Sequence, residues 1–148
     1  MADATAEHPA QRYHVTATTT GSGVSTIRSK QSDVVFDSSP RQDDELPGPA
    51  DLLIAAFAAC ILKNVERMGE LLPFAYDQAT VEVDAERQDS PPKITRITYA
   101  LTVTTDERDQ RVDLLHRNIK RHGTIFNTVA AACDVTGTIT ARPPGAEP

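Results

Sequence analysis

Two side chains of the 148-residue sequence carry a thiol, Cys60 and Cys133. Two cysteines do not make a disulfide scaffold, so they read either as inert core thiols or as a redox pair. Thiol chemistry runs through the thiolate, because the neutral thiol is a poor nucleophile. Cys60 lies within Leu52 to Ile61, where every residue is apolar or Cys, and no charge occurs before Lys63. Such surroundings raise a thiol's pKa unless a cation sits beside it. Lys63 and Asn64 follow about one turn later, so an activating cation has to come from elsewhere in the fold. The competing reading makes Cys60 a small packing residue, since free Cys is often fully buried. Cys133 is its only possible partner in the chain, and a bridge needs Cα atoms within ~7 Å.

The other polar candidates are weaker. Asp51 is nine residues before Cys60, which on a helix is about 180° around and ~13 Å along the axis. The two cannot meet within one helix, so Asp51 reads as a partner of the helix dipole or as a group reaching a Cys60 across an interface. Glu45 and Asp44 are alternative acids in the preceding loop. His116 and His122 are six residues apart, about 120° on a helix, and His8 and His14 are isolated, so no metal site is expected. Arg117, Lys120, Arg121 and His122 read as a solvated helix end, with an anion contact as the sharper alternative.

The element that positions Cys60 is residues 48–72. The run is rich in Ala and Leu and free of internal Gly and Pro until Gly69, and Pro49 suits a first helical turn. Its uninterrupted apolar stretch, Leu52 to Ile61, is shorter than the ~20 apolar residues of a membrane span. A helix apolar all round is expected to be buried on every side. Before it, Tyr13–Thr20 and Val24–Lys30 read as a hairpin around Gly21-Ser22-Gly23, and Asp33–Asp37 as a short third strand. After it, Thr80–Gln88 and the strand carrying Ile97, Tyr99, Leu101 and Val103 alternate as an antiparallel hairpin. Asp106–His122 reads as an amphipathic helix ended by Gly123, followed by a short helix over 124–132 and a last strand over 134–141. Residues 1–11 and 143–148 read as tails and 12–142 as one domain. The order points to α+β. Two thin sheets of so small a chain cannot cover the central helix, so an intimate homodimer is expected. A net charge of −6 argues against a nucleic-acid surface. With no signal peptide or membrane span visible, a cytoplasmic protein is expected.

The motif Pro-x-Asp-Leu-Leu-x-Ala-Ala-x-Ala-Ala-Cys (Pro49 to Cys60) resembles the signature helix of the OsmC/Ohr family, the osmotically induced and organic-hydroperoxide-resistance proteins. His122 followed by Asn127-Thr128-Val129 resembles the family's second motif, and the element order matches over roughly 12–142. The resemblance implies antiparallel sheets around long central helices, swapped into a two-fold homodimer with its active site at the interface. It implies a reactive thiol at Cys60, an Arg and a Glu holding thiolate and peroxide, a second Cys resolving the sulfenic acid, and recycling by an external dithiol with no cofactor. Arg41 best matches the Arg of one branch; Arg28 and Arg12 are weaker choices. The resolving position falls at about Gly123, and Cys133 lies later, before the last strand. The peroxidases' Glu position is Ala50, with Asp51 beside it as in other branches. Two functions follow. One is thiol-dependent reduction of organic hydroperoxides at Cys60, with Arg41 and Asp51 assisting and Leu53, Phe57 and Ile61 forming an apolar pocket. The other is a non-catalytic scaffold holding a small apolar ligand, with Cys60 as packing.

Overall fold

A computed structural model describes residues 9–41 and 44–145. Most of the two expected tails lies outside the described residues; residues 9–11 are exposed and belong to no regular element. The chain divides into two units, Met1–Ala50 and Asp51–Pro148, with the boundary inside the span 12–142.

The first unit is an antiparallel meander of β1 (Val15–Thr18), β2 (Val24–Ser29) and β3 (Ser32–Asp37). Ile27 pairs with Ala17 on one side and Val34 on the other. The β1–β2 turn uses Gly21 (φ 81°) and Gly23 (φ 88°), in a backbone region that side chains resist. After β3 the chain folds back: the Ser38 amide donates to the Gly23 carbonyl at 3.0 Å and the Asp37 amide to the Pro47 carbonyl at 2.9 Å. Val15, Val24, Val34 and Val35 stay exposed on this thin sheet.

The second unit is built on α1 (Pro49–Leu71), whose first turn carries Asp51 as the helix dipole favours. Its partners are β4 (Gln78–Asp89), β5 (Pro92–Thr104), α2 (Asp109–His122), α3 (Thr124–Ala130) and β6 (Asp134–Arg142). The β4–β5 hairpin has the alternating register its sequence predicts, with Val81 opposite Leu101 and Val83 opposite Tyr99. The sheets are antiparallel as expected, with one exception: β6 joins β5 in parallel, Gly137 beside Tyr99. The two intervening helices carry the chain back to the starting end of β5, and a crossover of that kind yields a parallel pair.

The core joins Phe57, Ile61, Val65 and Met68 of α1 to Ile97, Tyr99, Leu101 and Val103 of β5. Val112, Leu115 and Ile119 of α2 and Phe126 and Val129 of α3 complete it. The cover expected on every side of α1 includes a second subunit, and a single chain supplies only part of it. One stripe is buried, whereas Leu53, Ala55, Ala56 and Ala59 are exposed, because within this unit packing reaches only one side of the helix. Helix α2 begins at Asp109, later than the acidic residues Asp106 and Glu107 suggest. Glu107 is used otherwise: its carboxylate accepts the Ala75 amide at 3.1 Å and Arg111 Nε at 2.7 Å, and Arg111 also donates to the Leu72 carbonyl. The Ala75 amide and the Arg111 guanidinium hold the Glu107 carboxyl below the usual carboxylate range. The group ties the α1–β4 loop to the start of α2. No helix among the described residues is long and apolar enough to cross a membrane.

Candidate functional site

Cys60 lies midway along α1 on its buried stripe, 9% exposed. Four residues on, Asn64 breaks the apolar pattern of that stripe, and its side chain is buried too. A buried amide must find partners. Asn64 Nδ2 donates to the Cys60 carbonyl at 2.9 Å and stands 3.7 Å from Cys60 Sγ. The carbonyl fixes the orientation of the amide, since an amide oxygen facing it would be repelled. The sulfur therefore meets a donor.

Gly123, between α2 and α3, also lies near the sulfur. Its backbone is extended (φ −74°, ψ 114°), so it does not end α2 by the left-handed conformation expected of a helix-terminating glycine. Space is the reason for a glycine here. A Cβ at this position would lie 2.9 Å from Phe126 Cβ, 3.1 Å from Cys60 Sγ and 3.1 Å from the Ile119 carbonyl. The Gly123 amide donates to the Ile119 carbonyl and its own carbonyl accepts the Asn127 amide, so the corner is pinned at both ends.

Next to this corner is an aromatic cluster. Phe57 stacks on Phe126 with centroids 5.4 Å apart, and Tyr99 meets Phe57 and Phe126, each at 5.9 Å. The Tyr99 hydroxyl and His116 Nε2 are hydrogen-bonded at 2.6 Å. Burial pushes the Tyr99 phenol up to about 12. Burial, and then the charge of Lys120, lowers the His116 pKa, against an opposing contribution from Asp113. The Tyr99 ring fits because its neighbour on β6 is Gly137, where a Cβ would fall 2.2 Å from the ring.

The remaining sequence candidates are dispersed. Phe57 and Ile61 are completely buried in the core, whereas Leu53 is 42% exposed. Asp51 is exposed in the first turn of α1, and that helix runs unbroken through Cys60, so the half-turn separation holds. Ala50 beside it is exposed. Arg41 is exposed and belongs to the first unit. Both cysteines are free, and the half-buried Cys133 donates its thiol to the Val129 carbonyl at 3.3 Å. Among the described residues, no cluster of three or more His, Cys, Asp or Glu is disposed to hold a metal ion. An acidic groove of about 740 Å³ is lined by Glu66, Glu70, Asp77, Asp106 and Glu107, away from Cys60. Sequence reasoning did not assign Asn64, Tyr99 or His116 to the site. Asn64 carried a usable signal, a polar residue at helical spacing from Cys60. Tyr99 and His116 are brought together only by packing.

The sequence model of the OsmC-like protein family matches residues 42–137. Solved structures share the fold, among them the following three. An OsmC-like protein from Mycoplasma pneumoniae has a TM-score of 0.80 at 17% identity, over 88% of this chain and 97% of that one. An organic hydroperoxide resistance protein OsmC from Legionella pneumophila has a TM-score of 0.70 at 14% identity, over 88% and 99%. The organic hydroperoxide resistance protein OhrB of Bacillus subtilis has a TM-score of 0.63 at 19% identity, over 88% and 98%. None of the curated protein sequences matches the chain. At these identities the likeness is one of fold.

Proposed function

Because the chain belongs to the OsmC-like protein family, we propose that it reduces organic hydroperoxides with Cys60 as the reacting thiol. Two of the structural relatives are named for organic hydroperoxide resistance. The observation that carries the reading is the place of Cys60. Its sulfur is at the edge of the core, with an amide donor and the α2–α3 corner both close to it.

The Cys60 thiolate attacks the terminal oxygen of the hydroperoxide; an S–O bond forms as the O–O bond breaks. The alkoxide leaves and takes up a proton as the alcohol, while Cys60 becomes a sulfenic acid. One thiol of an external dithiol attacks that sulfur and releases water, and the second then displaces the Cys60 thiolate, leaving the dithiol as its disulfide. The external thiol is needed because Gly123 faces the sulfur where a second cysteine would resolve it. Cys133, with its thiol on the Val129 carbonyl, is the weaker alternative. The reading asks Arg41 for the positive charge that favours the thiolate and Asp51 for a supporting acid. It includes a two-fold, swapped homodimer, supported by the apolar surface that Leu53, Ala55, Ala56 and Ala59 leave exposed. It also places the protein in the cytoplasm, where reduced dithiols are at hand.

A second reading, a scaffold that holds a small apolar ligand without catalysis, is favoured by one observation: glycine at 123 leaves Cys60 no second thiol at its side. Dithiol-dependent consumption of cumene hydroperoxide separates the two. Cys60→Ser should abolish it and Arg41→Ala should slow it at least tenfold. Undiminished consumption by Cys60→Ser would overturn the first reading.

A further inference from the structure

We infer that Asn64 is a positioning residue for the Cys60 sulfur, its side-chain amide holding and stabilising the thiolate from within the same helix; the inference rests on Cys60 being the reacting thiol. Asn64 is 7% exposed in a stripe otherwise made of Phe57, Cys60, Ile61, Val65 and Met68. A buried polar side chain there is costly unless it is bonded. A single bond to the Cys60 carbonyl, at 2.9 Å, would satisfy one of its two N–H groups. The second N–H has Cys60 Sγ as its neighbour, at 3.7 Å. Because the carbonyl dictates which end of the amide faces Cys60, the sulfur is offered a donor in every fluctuation that keeps the first bond.

A donor aimed at sulfur favours the anion over the thiol, because the charged form accepts the stronger bond. The other groups nearby do not substitute for it. Gly123, from the α2–α3 corner, brings backbone to the sulfur and no side chain. The nearest titratable groups in sequence are Lys63 on α1 and His122 before Gly123, and both are exposed. The same bond restrains the thiol: rotation of the Cys60 side chain away from the amide gives up the contact. Asn64 thus offers the sulfur a donor and restrains its direction.

The test is the pH dependence of Cys60 alkylation by iodoacetamide, read by mass in a Cys133→Ser background. Asn64→Ala and Asn64→Ser should raise the midpoint by roughly one pH unit. Asn64→Asp, which replaces the donor by a carboxylate, should raise it further. A residue that merely caps the Cys60 carbonyl would lower the melting temperature and leave the midpoint in place; an unchanged midpoint in a folded variant overturns the inference. A measurement on the protein carrying Asn64 guards against variants that do not fold. The Asn64 side-chain amide resonances should titrate with the Cys60 midpoint and cease to do so in Cys60→Ser; failure to titrate likewise overturns it. Failure of the underlying reading is separate, since Cys60 would then resist cumene hydroperoxide whatever its titration.

Discussion

Replacing Gly123 by Cys should create a disulfide with Cys60, and the geometry permits an estimate of its effect. An ideal Cβ at residue 123 lies 3.1 Å from Cys60 Sγ. Across a disulfide, the Cβ of one cysteine and the sulfur of the other are about 3.0 Å apart when the S–S bond is about 2.05 Å. The extended backbone at 123 accepts a cysteine without strain. Crowding is the opposing effect: Phe126 Cβ is 2.9 Å from the same point, so α3 has to shift slightly. Closing the chain between residues 60 and 123 removes denatured-state freedom equivalent to about 4 kcal/mol as an upper bound. Overpacking against Phe126 costs both redox forms of the variant about 1–2 kcal/mol and cancels between them. The oxidised variant should therefore exceed its own reduced form by up to about 4 kcal/mol. The assay is urea denaturation of both redox forms in a Cys133→Ser background, after peptide mapping confirms the bridge. If the thiols stay free in oxidised glutathione, or if oxidation destabilises the fold, the placement of Gly123 against the sulfur is wrong.

Other perturbations probe the frame of the site. Phe57→Ala empties a completely buried position between Tyr99 and Phe126 and should cost about 3–5 kcal/mol in urea denaturation. Gly137→Ala drives a methyl group to 2.2 Å from the Tyr99 ring. It should cost about 3 kcal/mol in the same measurement and separate Tyr99 from His116. Because burial lowers the His116 pKa from 6.5, the unfolded chain binds the extra proton first as pH falls below that value. Stability should therefore decline below about pH 6.5, and His116→Asn should flatten that slope in melts across pH. Tyr99, with its pKa raised from 10.0 to about 12, keeps its proton in the fold where the unfolded chain has lost it. Stability should fall above about pH 10, and Tyr99→Phe should remove this contribution.

The sequence made legible whatever local chemistry determines. The apolar run around Phe57 and Cys60 announces α1, and strict alternation announces the pairing of Val81 with Leu101. The direction of β6 was not legible, since its own alternation is the same whether it runs parallel or antiparallel; the α2–α3 crossover decides it. The true start of α2 was hidden because Glu107 looks like a first-turn acid yet bonds Ala75 and Arg111 across the loop. For the site, spacing correctly separates Asp51 from Cys60 on α1. Gly123 read as a helix terminator, although its lack of a side chain answers to Phe126 and the Cys60 sulfur, contacts made by residues far apart in sequence. Apolar type alone did not distinguish the buried Phe57 and Ile61 from the exposed Leu53. The Tyr99–His116 bond joins a strand to a helix, and no local pattern encodes it.

The central claim is that Cys60 is a reactive thiol, and Cys133 in the same molecule supplies the internal control. Sulfenic-acid trapping during exposure to cumene hydroperoxide, followed by peptide mass, gives both oxidation rates in one experiment. The account predicts rapid trapping at Cys60, slow oxidation at Cys133 and recovery of the Cys60 thiol on adding a dithiol. Equal, slow oxidation of both cysteines, at the rate of an ordinary free thiol, would contradict it.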